Sequence, residues 1–274
     1  MTQRSILITG CSSGIGLDAA RTLKARGWQV FAACRKAEDC ARLMAEGLHA
    51  PRIDYEDEAT LAPALAEVLA ATGGTLDALF NNGAYAIPGL VEDLPTEALR
   101  RNFEANFFGW HSLTRLVIPV MRAQGHGRIV QNSSVLGFAA MPWRGSYNAT
   151  KFALEGLTDT LRMEMRGSGI EVVLIEPGPI TSDFRKNARA MFEQWIDWKG
   201  SVRHKDYAGQ IARLGSDAPS KFELPASAVT AKLIHAIESP RPRPRYYVTV
   251  PTHLGGAIKR ALPTRMVDRI FSKG

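Results

Sequence analysis

Residues 5–34 constrain the fold more tightly than any other part of this 274-residue chain. A short apolar run, Ser5–Thr9, meets the turn Gly10-Cys11-Ser12-Ser13-Gly14-Ile15-Gly16. Ile15, Ala19, Ala20 and Leu23 follow at helical spacing, and residues 29–34 form a second apolar run. Strand, glycine turn, helix and strand make the opening unit of a dinucleotide-binding fold. The glycines let the backbone turn tightly and approach a pyrophosphate, whose oxygens the N–H groups at the helix start can bind. A plain tight turn is the alternative. The strand before it and the amphipathic helix after it favour phosphate.

The second apolar run ends in Cys34-Arg35-Lys36. An acidic residue at this point would accept hydrogen bonds from an adenosine 2′-hydroxyl. A guanidinium suits a 2′-phosphate instead, and Ser12 can add a hydroxyl, so the pattern favours NADP(H) over NAD(H). Two solvated basic residues are the competing reading. The spacing then predicts a helix over 38–46 and a third strand ending at Ile53-Asp54. Asp54 could accept from an adenine amino group or cap the segment that follows.

A fourth strand over 76–80 runs into Asn81-Asn82-Gly83-Ala84. One long helix is expected from Thr96, with Leu99, Phe103, Phe107, Trp110, Leu113 and Val117 as its core face and Asn106 as a polar amide among them. A fifth strand covers 127–133, a helix 147–166 and a sixth strand 171–175. The sixth ends in Glu176-Pro177-Gly178-Pro179-Ile180-Thr181. Residues 182–225 read as irregular, before a helix over 226–238, a seventh strand over 245–250 and a basic amphipathic tail over 254–271 broken at Pro263. The expectation is one α/β domain over 1–274, with a doubly wound parallel sheet of seven strands.

Chemistry concentrates in 134–151. Ser134 lies just past the fifth strand, Tyr147 follows thirteen positions later, and Lys151 is one helical turn beyond Tyr147 on the same face. A phenol titrates near about 10, and a neighbouring positive charge would lower that value. Ser134 could hold a substrate oxygen while Tyr147 gives or takes its proton. Ser134 and the glycine turn both fall on the carboxyl edge of the expected sheet, where such folds bind ligands. A Tyr-x-x-x-Lys pair by itself is more often a surface contact, so this convergence carries the reading.

Composition trims the alternatives. The net charge of +7 allows anionic partners, but no basic run argues for nucleic acid; residues 241–245 read as a stiff connector. Three cysteines, Cys11, Cys34 and Cys40, with no Cys-x-x-Cys pair argue against disulfides and a metal site, and suit a cytoplasmic setting. The sequence opens almost directly on its first strand, leaving no room for a signal peptide, and no apolar run approaches the ~20 residues of a membrane span.

With these residues laid out, the chain resembles the classical short-chain dehydrogenases/reductases over nearly its whole length. The residues that carry the likeness are Thr9-Gly10-x-x-x-Gly14-Ile15-Gly16, Asn81-Asn82-Gly83-Ala84, the set Asn106, Ser134, Tyr147 and Lys151, and Pro177-Gly178. The resemblance implies catalytic roles for that set. Tyr147 would be the acid/base, Lys151 would tune it and hold the nicotinamide ribose, Ser134 would position the substrate oxygen, and Asn106 would support a water relay. It implies a cofactor site of Gly10, Ser12, Ser13, Gly14, Ile15, Gly16, Arg35, Lys36, Asp54, Asn82, Gly83, Tyr147, Lys151, Pro177, Gly178, Ile180 and Thr181. The pattern is similar to NADP(H)-linked bacterial aldehyde reductases and to 17β-hydroxysteroid and retinol dehydrogenases. That implies a homodimer or homotetramer acting on a small apolar carbonyl or alcohol, with residues 182–225 as substrate lid. The family order is Asn-Asn-Ala-Gly; here Gly83 precedes Ala84, and a positive φ at the second position would strain Ala84. Two other classes remain at this point: a cofactor-binding regulator without catalysis, and a peripheral membrane protein using the basic tail, a reading that ranks behind a helix covering the pocket or meeting a second subunit.

Overall fold

A computed structural model of the protein describes residues 3–216 and 218–272. Its centre is a parallel sheet built from β1 (Ser5–Thr9), β2 (Gln29–Ala33), β3 (Ala78–Asn81), β4 (Gly127–Asn132), β5 (Ile170–Glu176) and β6 (Arg245–Tyr247) in the order β2-β1-β3-β4-β5-β6. β1 and β3 are buried along their whole length, as a sheet covered on both faces requires. The strand order reverses between β1 and β3, the crevice where open α/β sheets take their ligands.

Helices α1 (Gly14–Ala25), α2 (Ala37–Ala45), α3 (Leu61–Thr72), α4 (Thr96–Phe103), α5 (Gly109–Gln124), α6 (Gly145–Glu164) and α9 (Ser227–Glu238) cover the sheet. One core packs α1 and α9 through Ala19, Leu23, Val229 and Leu233. The other packs α3 and α5 through Leu61, Val68, Trp110 and Val117. A third apolar cluster lies off the sheet and belongs to the site.

Six strands form the ladder, where seven were expected. The segment before Asp54 meets β2 only through isolated bridges at His49 and Arg52. Pro51 sits between them; its carbonyl accepts from Cys34 N at 3.4 Å, but it has no N–H to donate. The expected long helix from Thr96 is interrupted by a π-helical turn at Glu104–Phe108, which holds Asn106. Residues 182–225, expected to be irregular, contain two helices, α7 (Phe184–Trp195) and α8 (Tyr207–Gly215). The tail folds as α10 (Val250–Ala261) and α11 (Thr264–Phe271), separated at Pro263. No described helix is long and apolar enough to cross a membrane.

Candidate active site

β1 delivers the glycine turn to the carboxyl edge. Gly10 and Gly14 have φ of +68° and +57°, a region that side chains rarely tolerate. A Cβ on Gly16 would lie 2.4 Å from the Gly10 carbonyl oxygen, so only glycine lets α1 start this close to β1. Ser13 makes no side-chain cap, and the first turn of α1 carries no acidic residue. The leading N–H groups of α1 are therefore left for an anion, and the turn fits a dinucleotide pyrophosphate.

Thr9 ties this turn to the next strand. Its Oγ1 accepts from Asn82 N at 2.9 Å, Gly83 N at 3.2 Å and the buried Tyr55 phenol at 2.9 Å. Asn82 Nδ2 donates to the Thr9 carbonyl at 2.9 Å, and Asn132 Nδ2 donates to Asn82 Oδ1 at 2.7 Å. The expected strain at Ala84 is absent: among the described non-glycine residues only Trp143 and Phe222 have positive φ. The close approach falls one position earlier. A Cβ on Gly10 would sit 2.6 Å from Gly83 Cα, whereas a Cβ on Gly83 would be 3.3 Å from Gly10 N.

Arg35 and Lys36 follow β2 and line an open cavity of about 810 Å³ with Arg52, Asp54, Glu56 and Arg101. Asp54 Oδ1 accepts from Glu56 N at 3.1 Å, which makes it a turn-former at the cavity wall. Arg42 Nη2 donates to the Ser12 carbonyl at 2.7 Å and so braces the glycine turn from α2.

β4, α6 and β5 bring the catalytic candidates together. Ser134 is extended just past β4; its Oγ accepts from Leu136 N at 3.1 Å and donates to the Pro177 carbonyl at 3.4 Å. Tyr147 is buried in the first turn of α6, and the Ser134 hydroxyl lies against its phenol. Lys151, fully buried one turn on, donates to the Asn132 carbonyl at 2.8 Å. Its Nζ lies 4.1 Å from the Trp110 ring centroid and 5.5 Å from that of Tyr147.

The electrostatics differ from the expectation of a lowered phenol. Burial pushes the Tyr147 phenol up, with Ser134 pulling the other way. Burial also brings Lys151 down to about 7, opposed by the Glu155 carboxylate one turn further along α6. The ammonium meant to stabilise a phenolate is itself desolvated and is directed to a backbone carbonyl.

Asn106 is held at both ends of its amide, with one lone pair of Oδ1 left over. Its Oδ1 accepts from Tyr85 N at 3.1 Å, and its Nδ2 donates to Tyr85 O at 2.8 Å and Thr150 Oγ1 at 3.2 Å. Thr150 Oγ1 in turn donates to the Tyr147 carbonyl at 3.0 Å, which links the π-helical turn to the head of α6. Past β5, Gly178 is pressed on Thr249, and Thr181 donates through Oγ1 to Glu223 at 2.8 Å. Ile180 bridges to Leu224, and Ser182 touches the space a Gly14 side chain would need. The segment after β5 thus lies against the glycine turn.

α7 and α8 close over Tyr147. Phe184 meets the phenol ring edge-on at 5.4 Å. Tyr147 belongs to an apolar cluster with Ala86, Ile87, Phe192, Ile196 and Tyr207, bordered by Leu136, Trp143, Met191, Trp195 and Trp198. Phe138 faces elsewhere, its ring tilted against that of Tyr247 with centroids 5.6 Å apart, and Met141 lines a cleft under α11.

Sequence reasoning passed over Thr9 as an anchor, and read Trp110 only as core. Trp110 Nε1 donates to the Gly83 carbonyl at 2.8 Å while its ring supports Lys151. Its position four residues after Asn106 was the available signal. Trp143 has φ of +66°, an outlier for a bulky side chain, where Gly89 N donates to its carbonyl at 3.1 Å.

The fold and its glycine turn are those of a dinucleotide-binding α/β protein. The short chain dehydrogenase family profile matches residues 4–193, and the chain belongs to that family. It is 41% identical over 269 residues to the uncharacterized oxidoreductase YbbO of Escherichia coli, covering 98% of this chain and 94% of that one. It is 33% identical to the NADPH-dependent 3-dehydrocapnine reductase of Ornithobacterium rhinotracheale, covering 98% and 96%. With human retinol dehydrogenase 8 it shares 34% identity, covering 66% and 60%. A short-chain dehydrogenase/reductase of Burkholderia phymatum in complex with NAD superposes with a TM-score of 0.79 at 25% identity, covering 98% and 94%. The protein is an oxidoreductase of the short-chain dehydrogenase type.

Proposed function

We propose that this protein is an NADP(H)-dependent oxidoreductase that interconverts an apolar aldehyde or ketone and its alcohol. The observation that carries the reading is the meeting of the glycine turn with Ser134, Tyr147 and Lys151 on one carboxyl edge, beneath an apolar chamber. The bound cofactor supplies or accepts the hydride. In the reductive direction, Ser134 holds the carbonyl oxygen and Tyr147 donates its proton to that oxygen as negative charge develops. Lys151 holds a cofactor hydroxyl and adds positive charge beside the phenol when protonated. Asn106 fixes the head of α6 through Thr150 and helps position a water for proton resupply.

For the cofactor, Gly10, Ser12, Ser13, Gly14, Ile15 and Gly16 cradle the pyrophosphate, and Asn82, Gly83, Pro177, Gly178, Ile180 and Thr181 border the rest. Arg35 and Lys36 take the 2′-phosphate, and Asp54 sits at the same cavity. The NADPH-dependent relative supports this preference. The three buried free thiols suit a cytoplasmic setting. Exposed Phe108, Leu116, Phe152 and Met163, on and beside α5 and α6, suit a homo-oligomer.

The first test follows oxidation of NADPH and NADH at matched concentration over aliphatic and aromatic aldehydes, a ketosteroid and retinal. Turnover with NADPH well above NADH is expected. Tight cofactor binding without turnover on any substrate would overturn the catalytic reading in favour of a regulator. Tyr147→Phe should lower kcat by about a thousandfold with cofactor affinity nearly unchanged. Arg35→Ala should raise the KM for NADPH by about tenfold and leave that for NADH unaltered.

A further inference from the structure

The C-terminal helix pair turns the usual amphipathic arrangement inside out. α10 buries Thr252, Gly255 and Gly256. Glycine is what permits the dock: a Cβ on Gly256 would meet Tyr247 Cε2 at 2.9 Å, and one on Gly255 would meet Val135 Cγ2 at 3.4 Å. The face pointing away carries Val250, Leu254, Ala257 and Ala261, which fall on one line at helical spacing and are all exposed. α11 buries Val267 beside Met141 and Pro142, and leaves Met266 and Ile270 about half exposed, one turn apart. A soluble monomer gains nothing from an apolar stripe directed outward.

The charge around the stripe is one-sided. Residues 250–272 contain Lys259, Arg260, Arg265 and Arg269 against a single acidic side chain, Asp268. None of these takes part in a salt bridge among the described residues, although Arg21, Arg26, Arg203 and Arg245 all do. We infer that α10 and α11 form a docking face for an anionic lipid surface, with Leu254, Met266 and Ile270 entering the headgroup boundary and Arg260, Arg265 and Arg269 meeting lipid phosphates. A second copy of the chain fits less well. A two-fold contact on this stripe would bring the same arginines of both copies together with only Asp268 of each to offset them.

The opposite, buried side of the helix pair lies against the catalytic segment. Gly255 rests near Val135, one residue past Ser134, and α11 covers residues 140–142, which lead to Tyr147. The docking itself rests on no assumption about the reaction, so its test stands apart from the activity assay.

The test is sedimentation of the full chain with phosphatidylcholine vesicles and with vesicles of phosphatidylcholine and phosphatidylglycerol, at low and high salt. Binding to the phosphatidylglycerol vesicles at low salt, weakened by salt, is expected. Arg265→Gln with Arg269→Gln should weaken it by about thirtyfold. Leu254→Ser with Ile270→Ser, which alters no charge, should weaken it by about tenfold or more. Cofactor binding in both double variants checks that they are folded. No binding to the anionic vesicles at low salt overturns the proposal. Undiminished binding of the serine variant also overturns it, since the whole-molecule charge would then suffice. A fall in oligomeric mass in the serine variant, read by size-exclusion with light scattering, reassigns the stripe to contact between copies.

Discussion

Lys151 sits in a position that few lysines occupy: fully buried, with its ammonium between one carbonyl and two aromatic rings. Burial brings it to about 7, which leaves it free to gain or lose a proton near neutrality. Trp110 is its floor and also ties down the cofactor edge through Gly83. Trp110→Phe keeps an aromatic face under Lys151 but leaves the Gly83 carbonyl unpaired. It should cost about 1 kcal/mol of stability in a denaturant titration. It should also weaken cofactor binding more than it lowers kcat. An unchanged cofactor affinity would assign Trp110 to packing alone.

At the scale of elements, the junction of β1, α1 and the segment after β3 is where backbone meets backbone. The contacts rank the glycines. Gly16→Ala would drive a methyl to 2.4 Å from the Gly10 carbonyl oxygen, and should cost about 2 kcal/mol or more or displace α1. Gly83→Ala places its methyl 3.3 Å from Gly10 N, which a small shift relieves. Restoring the family order with Gly83→Ala and Ala84→Gly should therefore change the melting temperature far less than Gly16→Ala does. A larger loss from the swap would show that Gly83 is needed for close approach. The π-helical turn is the other local device: it places Asn106 where its amide can clamp Tyr85 and Thr150 together. Helical periodicity showed the helix but not the interruption, because π-turns depend on what the freed groups find to bond with.

For the whole molecule, the sheet's far edge stores charge behind the site. Arg245 on β6 binds Glu155 of α6 and Glu176 of β5 through one nitrogen, and Asp159 at 2.6 Å through the other. Burial first, and then the Glu155 carboxylate, push Glu176 up to about 8, with Arg245 opposing. A carboxyl raised in the folded state stabilises fully below its ordinary value of 4.5, and that contribution is lost as pH rises to about 8. Lys151 runs the other way: lowered from 10.5 to about 7, it contributes fully at high pH and that contribution is lost as pH falls through about 7. The melting temperature should therefore sag near pH 7 to 8. Each tenfold difference in proton affinity between the folded and unfolded chain, at either group, is worth roughly 1.4 kcal/mol. Glu176→Gln should remove the fall on the acid side and Lys151→Met the rise on the alkaline side. A flat profile in the unaltered protein would show that neither group is held as this burial requires.

The sequence alone determined the parallel α/β architecture and the turn at its carboxyl edge. Both follow from local rules: continuous apolar runs, period-3.6 patterning, and glycine where no side chain fits. Those rules also made Ser134, Tyr147 and Lys151 legible as a group, since strand ends and helix faces are set by spacing. Tertiary structure decided the rest. Pro51 lies inside the third strand expected to end at Ile53-Asp54, and its missing donor left six strands rather than seven. The aromatic and basic mixture of 182–225 hid two helices whose apolar faces are satisfied against the cluster that Tyr147 shares with Ala86, Ile87 and Leu90. The phenol moved up rather than down because burial, which no spacing rule measures, outweighed the Ser134 hydroxyl that pulls it down.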